Sequence, residues 1–225
     1  MKRFAVVGKN RKQAAALIRK MQKLGFVFDR KKPEFVVSLG GDGTFLHSER
    51  LYPGVPKLLS RDSAICQKCG NMLLGAVLER IKAGRFRVRE FRKVEAVIGK
   101  KKLLAANDII IRNKFPGHAI RFTAAVNGRK VNGMLIGDGI VVASAFGSTG
   151  YFRSITGKSF ASGMGIAFNN LTTRRKAQMA KGVVFSLQRG TAVVAADNDP
   201  GYVVLKDRGV VSIKQSSQLF RVVSL

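Results

Sequence analysis

A chain of 225 residues, 46% of them hydrophobic and 24 of them glycine, is long enough to bury a core and too apolar to be disordered. Its net charge is +28 at neutral pH, shared almost evenly: residues 1–95 carry 22 Lys and Arg against 8 Asp and Glu, and residues 96–225 carry 19 against 5, so no basic tail accounts for the excess. Such a field attracts nucleotides, polyphosphate and nucleic acid without specificity, but the sequence holds no aromatic-rich basic RNA motif, and a solvated basic surface is the simpler reading. The first segment, Met1-Lys2-Arg3-Phe4-Ala5-Val6-Val7-Gly8, has too short an apolar run for a signal peptide. No run approaches the ~20 apolar residues of a membrane span. A soluble, cytoplasmic protein without membrane contact is the expectation.

Phe4 to Val7 reads as a first strand. Residues 11–24 read as a helix, with Ala14, Leu17, Ile18, Met21 and Leu24 on one face and Gly25 as its stop. Phe26-Val27-Phe28 reads as a short second strand. Pro33 breaks the chain before Phe35-Val36-Val37-Ser38-Leu39, a buried third strand. This β-α-β order puts the next turn at the carboxyl end of a parallel strand, where open α/β sheets bind their ligands. No G-x-G-x-x-G follows the first strand, so an ordinary dinucleotide fingerprint is absent.

The turn is Gly40-Gly41-Asp42-Gly43-Thr44, and Phe45 to Leu51 reads as the first turns of a helix behind it. Glycines permit positive φ and close backbone approach. A helix N-terminus aims N–H groups at an anion. A carboxylate is unfavourable there unless it holds a metal or takes a proton from a hydroxyl that attacks phosphorus. The alternative is a tight turn in which Asp42 caps the helix, and the motif alone leaves both open.

Pro53 and Pro56 mark a loop, and residues 62–83 read as a helix ended by Gly84. Cys66 and Cys69 form one C-x-x-C within it. A zinc site needs four ligands, and His47 and His118 are the only other soft donors, so two reduced, partly buried thiols are expected. His47 reads as a surface or capping residue and His118 as a loop residue. From about residue 85 the texture changes to short strands: Arg85–Phe91, Val94–Ile98, Leu103–Ile111, then Arg121–Val126 and Lys130–Ile136 around an Asn127-Gly128 hairpin turn. Further apolar segments run to Val210–Ile213. Many short strands with Gly and Asn turns point to a β-sandwich, with a boundary near residue 94.

Three polar stretches interrupt these strands. Asn107-Asp108 offers amide and carboxylate to a sugar or base, although for the pair by itself a β-turn is the favoured reading. Asp138 stands between Gly137 and Gly139 ahead of the apolar Ile140 to Ala143. Ser148-Thr149-Gly150-Tyr151, with Ser154, forms a hydroxyl-rich loop after that strand. Gly157-Lys158-Ser159 imitates a P-loop, but the required glycine five positions earlier is Phe152. Arg153 and Lys158 read as solvated surface.

Taken together, the GGDGT turn followed by Phe45-Leu46 and the segment from Asp138 to Tyr151 resemble the NAD kinase family. The likeness covers most of the chain, with Asn107-Asp108 standing where the family has Asn-Glu. GGDGT alone is shared with diacylglycerol and sphingosine kinases; the paired motifs are more specific. The resemblance implies a Rossmann-like α/β domain over residues 1–93 and a β-sandwich over residues 94–225, whose last segment returns to the first domain. It implies an enzyme that moves a phosphoryl group from ATP, or from polyphosphate, to the 2′-hydroxyl of the adenosine ribose of NAD, with Mg²⁺ or another divalent cation. Asp42 would be the proton acceptor. Gly40, Gly41, Gly43 and Thr44 would line the phosphate path. Asn107, Asp108, Asp138, Ser148, Thr149, Gly150, Tyr151 and Ser154 would bind NAD, and no protein metal ligand is assigned. A homodimer or homotetramer is implied. The departures are Asp108 for Glu, Phe146 for Thr, Ala145 for Pro, Gly150 for Ala, and the loss of a G-x-L-G-F segment, in whose place stand residues 58–66. Two alternatives remain: a kinase of the same superfamily acting on a lipid or another nucleoside, and a nucleotide- or RNA-binding protein without turnover.

Overall fold

The computed structural model describes residues 1–60 and 74–224. The chain forms two compact units, Met1–Phe91 with Leu219–Leu225, and Arg92–Gln218. No helix among the described residues is long and apolar enough to cross a membrane. Cys66, Cys69 and the first part of the helix expected over 62–83 lie outside the described residues.

The first unit opens with β1 (Arg3–Gly8), α1 (Arg11–Lys23), β2 (Val27–Phe28), β3 (Phe35–Leu39), α2 (Asp42–Leu51), β4 (Lys57–Ser60), α3 (Leu74–Lys82) and the start of β5 (Arg87–Ile98). Its strands are parallel, in the spatial order β4-β3-β1-β2. Near the end of the chain, Val222 pairs in parallel with Lys57 and extends the sheet beyond β4. α1 starts where the Asn10 side chain accepts the N–H of Gln13, and it buries Leu17 and Met21. These pack with Phe4, Phe35, Leu58, Leu78 and Ile81 in one core cluster, so apolar strands and amphipathic helices share one interior. Phe220 adds an aromatic contact at the C-terminal segment, stacking on Phe91 at 5.3 Å and meeting Phe45 of α2 at 5.6 Å.

The strand order reverses between β1 and β3. From β1 the chain crosses to β2 on one side, and β3 then joins β1 on the other. That reversal leaves a crevice at the carboxyl ends of the two strands, the usual ligand position of an open α/β sheet. Parallel strands buried on both faces explain why Phe35 to Ser38 reads as an unbroken inward run, each residue being buried.

The second unit holds the rest of β5 and then β6 (Lys101–Ala105), β7 (Asp108–Asn113), β8 (Ile120–Val126), β9 (Arg129–Lys130), β10 (Leu135–Gly137), β11 (Gly139–Ser144), a 3₁₀ turn (Gly147–Thr149), α4 (Tyr151–Thr156), β12 (Met164–Asn169), β13 (Gln178–Ala180), β14 (Gly182–Arg189), β15 (Ala192–Ala196), β16 (Tyr202–Leu205) and most of β17 (Val210–Ser224). One sheet runs β10-β8-β14-β17; the other is six-stranded and antiparallel, β13-β12-β11-β7-β15-β16. Side chains of both sheets meet in one core, among them Phe122 and Phe185 from the first and Ile109, Ile111, Ile140 and Val194 from the second. Phe122 and Phe185 stack at 4.6 Å. This is the expected mixed α/β domain with a β-rich partner.

The strands differ from expectation in detail. Residues 85–98 were expected as two strands and are largely one, β5, while Leu103–Ile111 is two, broken at Ala106-Asn107. The Asn127-Gly128 turn does adopt positive φ at both residues, 54° and 79°, as a two-residue hairpin requires, but its second strand is interrupted after Lys130. Alternation cannot locate a break when the residues on both sides of it are apolar.

One polar pair stands out in the first unit. Lys57, at the start of β4, is fully buried, and its ammonium donates to the carboxylate of Glu49 on α2, itself 5% exposed. Lys57 also donates to the Tyr52 carbonyl, and the N–H of Gly54 donates to Glu49 at 3.1 Å. The pair ties the end of α2 to β4. Glu49→Met leaves a buried ammonium without its carboxylate and is expected to cost about 3–5 kcal/mol in urea unfolding. Glu49→Met with Lys57→Met is expected to recover most of that loss; a double variant as unstable as the single one contradicts this account.

Candidate functional site

The residues singled out in the sequence fall into two groups, one in each unit. In the first, Gly40 to Thr44 occupy the carboxyl end of β3, at the reversal of strand order. The helix starts three residues earlier than the sequence reading placed it: Gly41 is its N-cap and Asp42 lies in its first turn. Asp42 is therefore not the N-cap. A carboxylate in that position is favoured by the positive end of the helix dipole. The turn is held by the N–H of Gly40 on the Ser60 carbonyl at 2.9 Å and by the N–H of Thr44 on Gly41 at 3.0 Å. Gly40 has φ +151°, and a Cβ there would collide with the Thr44 hydroxyl. Thr44 is buried, while Gly41, Asp42 and Gly43 are partly open.

In the second unit, Asn107 lies in the break between β6 and β7 and Asp108 is the first residue of β7, and both are buried, at 7% and 6% exposure. The Asn107 carbonyl accepts the N–H of Ser144 at 2.8 Å. The Ser144 hydroxyl donates to Ala106 at 2.6 Å and accepts the N–H of Gly147 at 3.0 Å. Gly147 lies so close to Asn107 that a Cβ would overlap the Asn107 backbone. The Asn107-Asp108 turn and the Ser148 to Tyr151 segment are thus neighbours locked to one another. Instead of an open loop, that segment is a 3₁₀ turn followed by the short helix α4.

The hydroxyls of this segment do different work. Ser148 is fully buried; its Oγ lies within hydrogen-bond distance of the carbonyls of Ala145 and Phe160 and accepts the N–H of Phe160. It holds the loop together. Ser154 donates to the Tyr151 carbonyl at 2.7 Å. The Thr149 Oγ1 is buried and has no hydrogen-bond partner among the described residues, which calls for an explanation because buried hydroxyls are nearly always paired. The Tyr151 hydroxyl accepts from Asn169 at 3.1 Å. Asp138, between β10 and β11, accepts from the Asn113 amide at 3.4 Å and from the Asn170 amide at 3.2 Å. No group of three or more His, Cys, Asp or Glu among the described residues is placed to hold a metal ion.

No family model matches the sequence. Similarity to curated proteins is clear. The chain is 35% identical over 134 residues to the NAD kinase of Heliobacterium modesticaldum, covering 55% of this chain and 47% of that one. It is 26% identical over 211 residues to the NAD kinase of Natranaerobius thermophilus, covering 85% and 73%. Among solved structures, an NAD kinase from Archaeoglobus fulgidus in complex with ATP superposes with a TM-score of 0.82 at 20% identity, covering 98% of this chain and 92% of that one. The chain is thus similar to NAD kinases in sequence and shares their fold. Its match spans about half the length of the Heliobacterium relative.

One residue of the second unit was not singled out in the sequence. Asp197 follows β15 in a turn with φ +53°, and its carboxylate accepts the N–H groups of Ala106 at 2.8 Å, Asn107 at 2.7 Å and Asp108 at 3.2 Å. Its own N–H donates to the Asp108 carbonyl at 2.9 Å. It fixes the turn that carries both candidate ligands from 89 or more residues away in sequence. The available signal was scarcity, since only five acidic residues follow position 95.

Burial pushes the Asp197 carboxyl above its ordinary value of 3.8, while the three backbone N–H groups and the charge of Lys93 pull it down. A carboxyl raised in the folded state stabilises the fold fully below its unfolded pKa, and that contribution is lost as pH rises through the folded pKa. Asp197→Asn does not titrate, and its amide places N–H against N–H at Ala106. It is expected to lose about 1–3 kcal/mol at neutral pH. In urea unfolding, the gap to the native chain should widen as pH falls through the raised folded-state value and level off below the ordinary carboxyl value of 3.8. A gap that narrows on acidification contradicts the raised carboxyl.

Proposed function

We propose that the chain is an NAD kinase, transferring a phosphoryl group from ATP to the 2′-hydroxyl of the adenosine ribose of NAD to give NADP. The observation that carries this reading is the GGDGT turn. It sits at the reversal of strand order in a parallel sheet, with Asp42 in the first turn of α2, in a chain similar along 85% of its length to a known NAD kinase. Gly40, Gly41, Gly43 and Thr44 give the phosphates a backbone that they can approach closely. Asp42 accepts the proton from the attacking 2′-hydroxyl, which leaves that oxygen free to bond to phosphorus as the donor's bridging oxygen departs with its electron pair.

In the second unit, Asn107 and Asp108 bind sugar and base edges of NAD. Asp138, held by Asn113 and Asn170, takes the nicotinamide portion. Thr149 Oγ1, buried and unpartnered among the described residues, supplies a hydrogen bond to the dinucleotide. Tyr151, Gly150 and Ser154 border it. Ser148 supports this site by shaping the loop.

The donor set suits Mg²⁺ carried by the nucleotide. Mg²⁺ in phosphoryl transfer takes one or two carboxylates plus phosphates and water; Asp42 supplies one carboxylate, and the described residues offer no cage for a resident ion. Bound with the donor, the ion neutralises charge that builds on the phosphates. The family resemblance extends the proposal to a homodimer or homotetramer in the cytoplasm.

The test is a coupled assay of NADP formation from NAD, ATP and Mg²⁺. The native chain should turn over, and Asp42→Asn should lose about 10²–10⁴-fold in kcat with a smaller change in KM. Turnover unchanged in the variant removes Asp42 from the role of base. A folded native chain without turnover, with ATP or polyphosphate as donor, sinks the kinase reading.

A further inference from the structure

The sequence holds two Asn-Gly pairs, Asn127-Gly128 and Asn132-Gly133, each preceded by valine. Asparagine before glycine is a chemically labile pairing, because no side chain shields the glycine nitrogen from the asparagine carboxamide. With the same residue in front of both, the fold decides how they differ. Asn127 is held on both sides of its carboxamide. Its Oδ1 accepts the N–H groups of Lys181 at 2.6 Å and Gly182 at 3.4 Å, and its Nδ2 donates to the Met179 carbonyl at 3.4 Å. Asn132 and Gly133 lie in the link between β9 and β10, and both are exposed. Among the described residues, the Asn132 side chain makes no hydrogen bond and the Gly133 N–H has no acceptor. The contact that this pair does make is through its backbone. A guanidinium nitrogen of Arg175 donates to the Asn132 carbonyl at 2.9 Å. The same nitrogen stands 4.0 Å from where a Cβ on Gly133 would be.

That carbonyl belongs to the peptide whose nitrogen is the Gly133 N. When this N–H gives up its proton, the negative charge is shared with the Asn132 oxygen, and a cation already bonded to that oxygen stabilises the anion. The field of a +28 chain adds to this by drawing hydroxide to the surface. We propose that Asn132-Gly133 is a self-modification site, at which Asn132 deamidates with Arg175 activating the attacking nitrogen. The Gly133 nitrogen, having passed its proton to hydroxide, bonds to the Asn132 Cγ. The bond from Cγ to Nδ2 breaks, and Nδ2 leaves as ammonia with a proton taken from water, which regenerates the hydroxide. Water then opens the succinimide at either carbonyl and leaves aspartate or isoaspartate at position 132. Water is the only reactant consumed. The new carboxylate forms on the residue that Arg175 already contacts, in a stretch from residue 96 onward with 19 Lys and Arg against 5 Asp and Glu, so charge favours the product. Asn127 must first break the hydrogen bonds of its carboxamide through local opening. The inference stands independently of the kinase reading.

The full chain is incubated at mildly alkaline pH and digested with trypsin, which places the two pairs on separate peptides, residues 122–129 and 131–153. Mass spectrometry follows the replacement of ammonia by water, and an isoaspartate-specific methyltransferase labels the isoaspartate product. The expected result is deamidation of peptide 131–153 at least about tenfold faster than of peptide 122–129. In urea, where the fold no longer holds Asn127, the two rates should come within about threefold of each other. Arg175→Gln should slow peptide 131–153 by about threefold or more, and Arg175→Lys, which keeps a cation there, should slow it less. Peptide 122–129 is the control for folding, since its rate rises if a variant opens the unit. Asn132 reacting no faster than Asn127 in the folded chain overturns the proposal, as does a tenfold difference that survives in urea. A rate unchanged in Arg175→Gln removes Arg175 from the activating role. The readout requires no turnover, so its failure and that of the kinase assay are separable.

Discussion

Three consecutive backbone N–H groups, at Ala106, Asn107 and Asp108, converge on one carboxylate, that of Asp197. The geometry of the second unit's candidate site depends on this. A sheet strand that breaks in a buried place must find partners for the groups it withdraws from the ladder. Here β6 ends and β7 begins within two residues, and the break is too buried for water to serve all the freed donors. An anion that accepts three of them makes the break a fixed feature. Once the turn is fixed, the rest follows by contact. The Asn107 carbonyl receives Ser144, the Ser144 hydroxyl receives Gly147, and only glycine fits at position 147. The 3₁₀ turn and α4 therefore start from a set position.

The first unit reaches a comparable result with backbone alone. Its turn follows a strand buried on both faces, so its direction is dictated by the sheet. The glycine at position 40 allows the chain to leave the strand at φ +151°, and the helix that follows aims its N-terminus along the carboxyl edge. Position comes from sheet topology in one unit and from a long-range carboxylate clamp in the other.

This difference explains what the sequence disclosed. The β-α-β pattern, the GGDGT turn and the β-rich second half are local in sequence, and period and turn chemistry report local structure. The helix start at Asp42, the two strands within residues 101–113 and the 3₁₀ turn at Gly147 are each decided by packing partners distant in sequence. Asp197 shows the limit best. Its environment, Ala196-Asp197-Asn198-Asp199-Pro200, reads as a turn, and it is one: its N–H donates to the Asp108 carbonyl and its φ is positive. Nothing local indicates that the carboxylate is directed at a turn 89 residues away. The same holds for Ser148. Its place in a hydroxyl-rich segment suggests a ligand, while its hydrogen bonds to Ala145 and Phe160 make it part of the scaffold.

The chain's charge acquires a meaning from the few acids that oppose it. There are 13 acidic residues against 41 basic ones. Many of the acids perform definite structural work. Asp29 accepts the N–H groups of Lys31 and Lys32, Glu34 that of Lys2, and Glu49 the buried Lys57. Glu90 holds Arg221, and Asp197 holds the Asn107 turn. Acids committed in this way do little to screen the surface elsewhere. The remaining field is positive and long-ranged on the scale of the Debye length, and it raises the local concentration of any polyanionic ligand before a specific contact forms. General attraction comes from the surplus of Lys and Arg. Selection must come from the few places where a carboxylate or a buried hydroxyl sets a shape that most polyanions do not match.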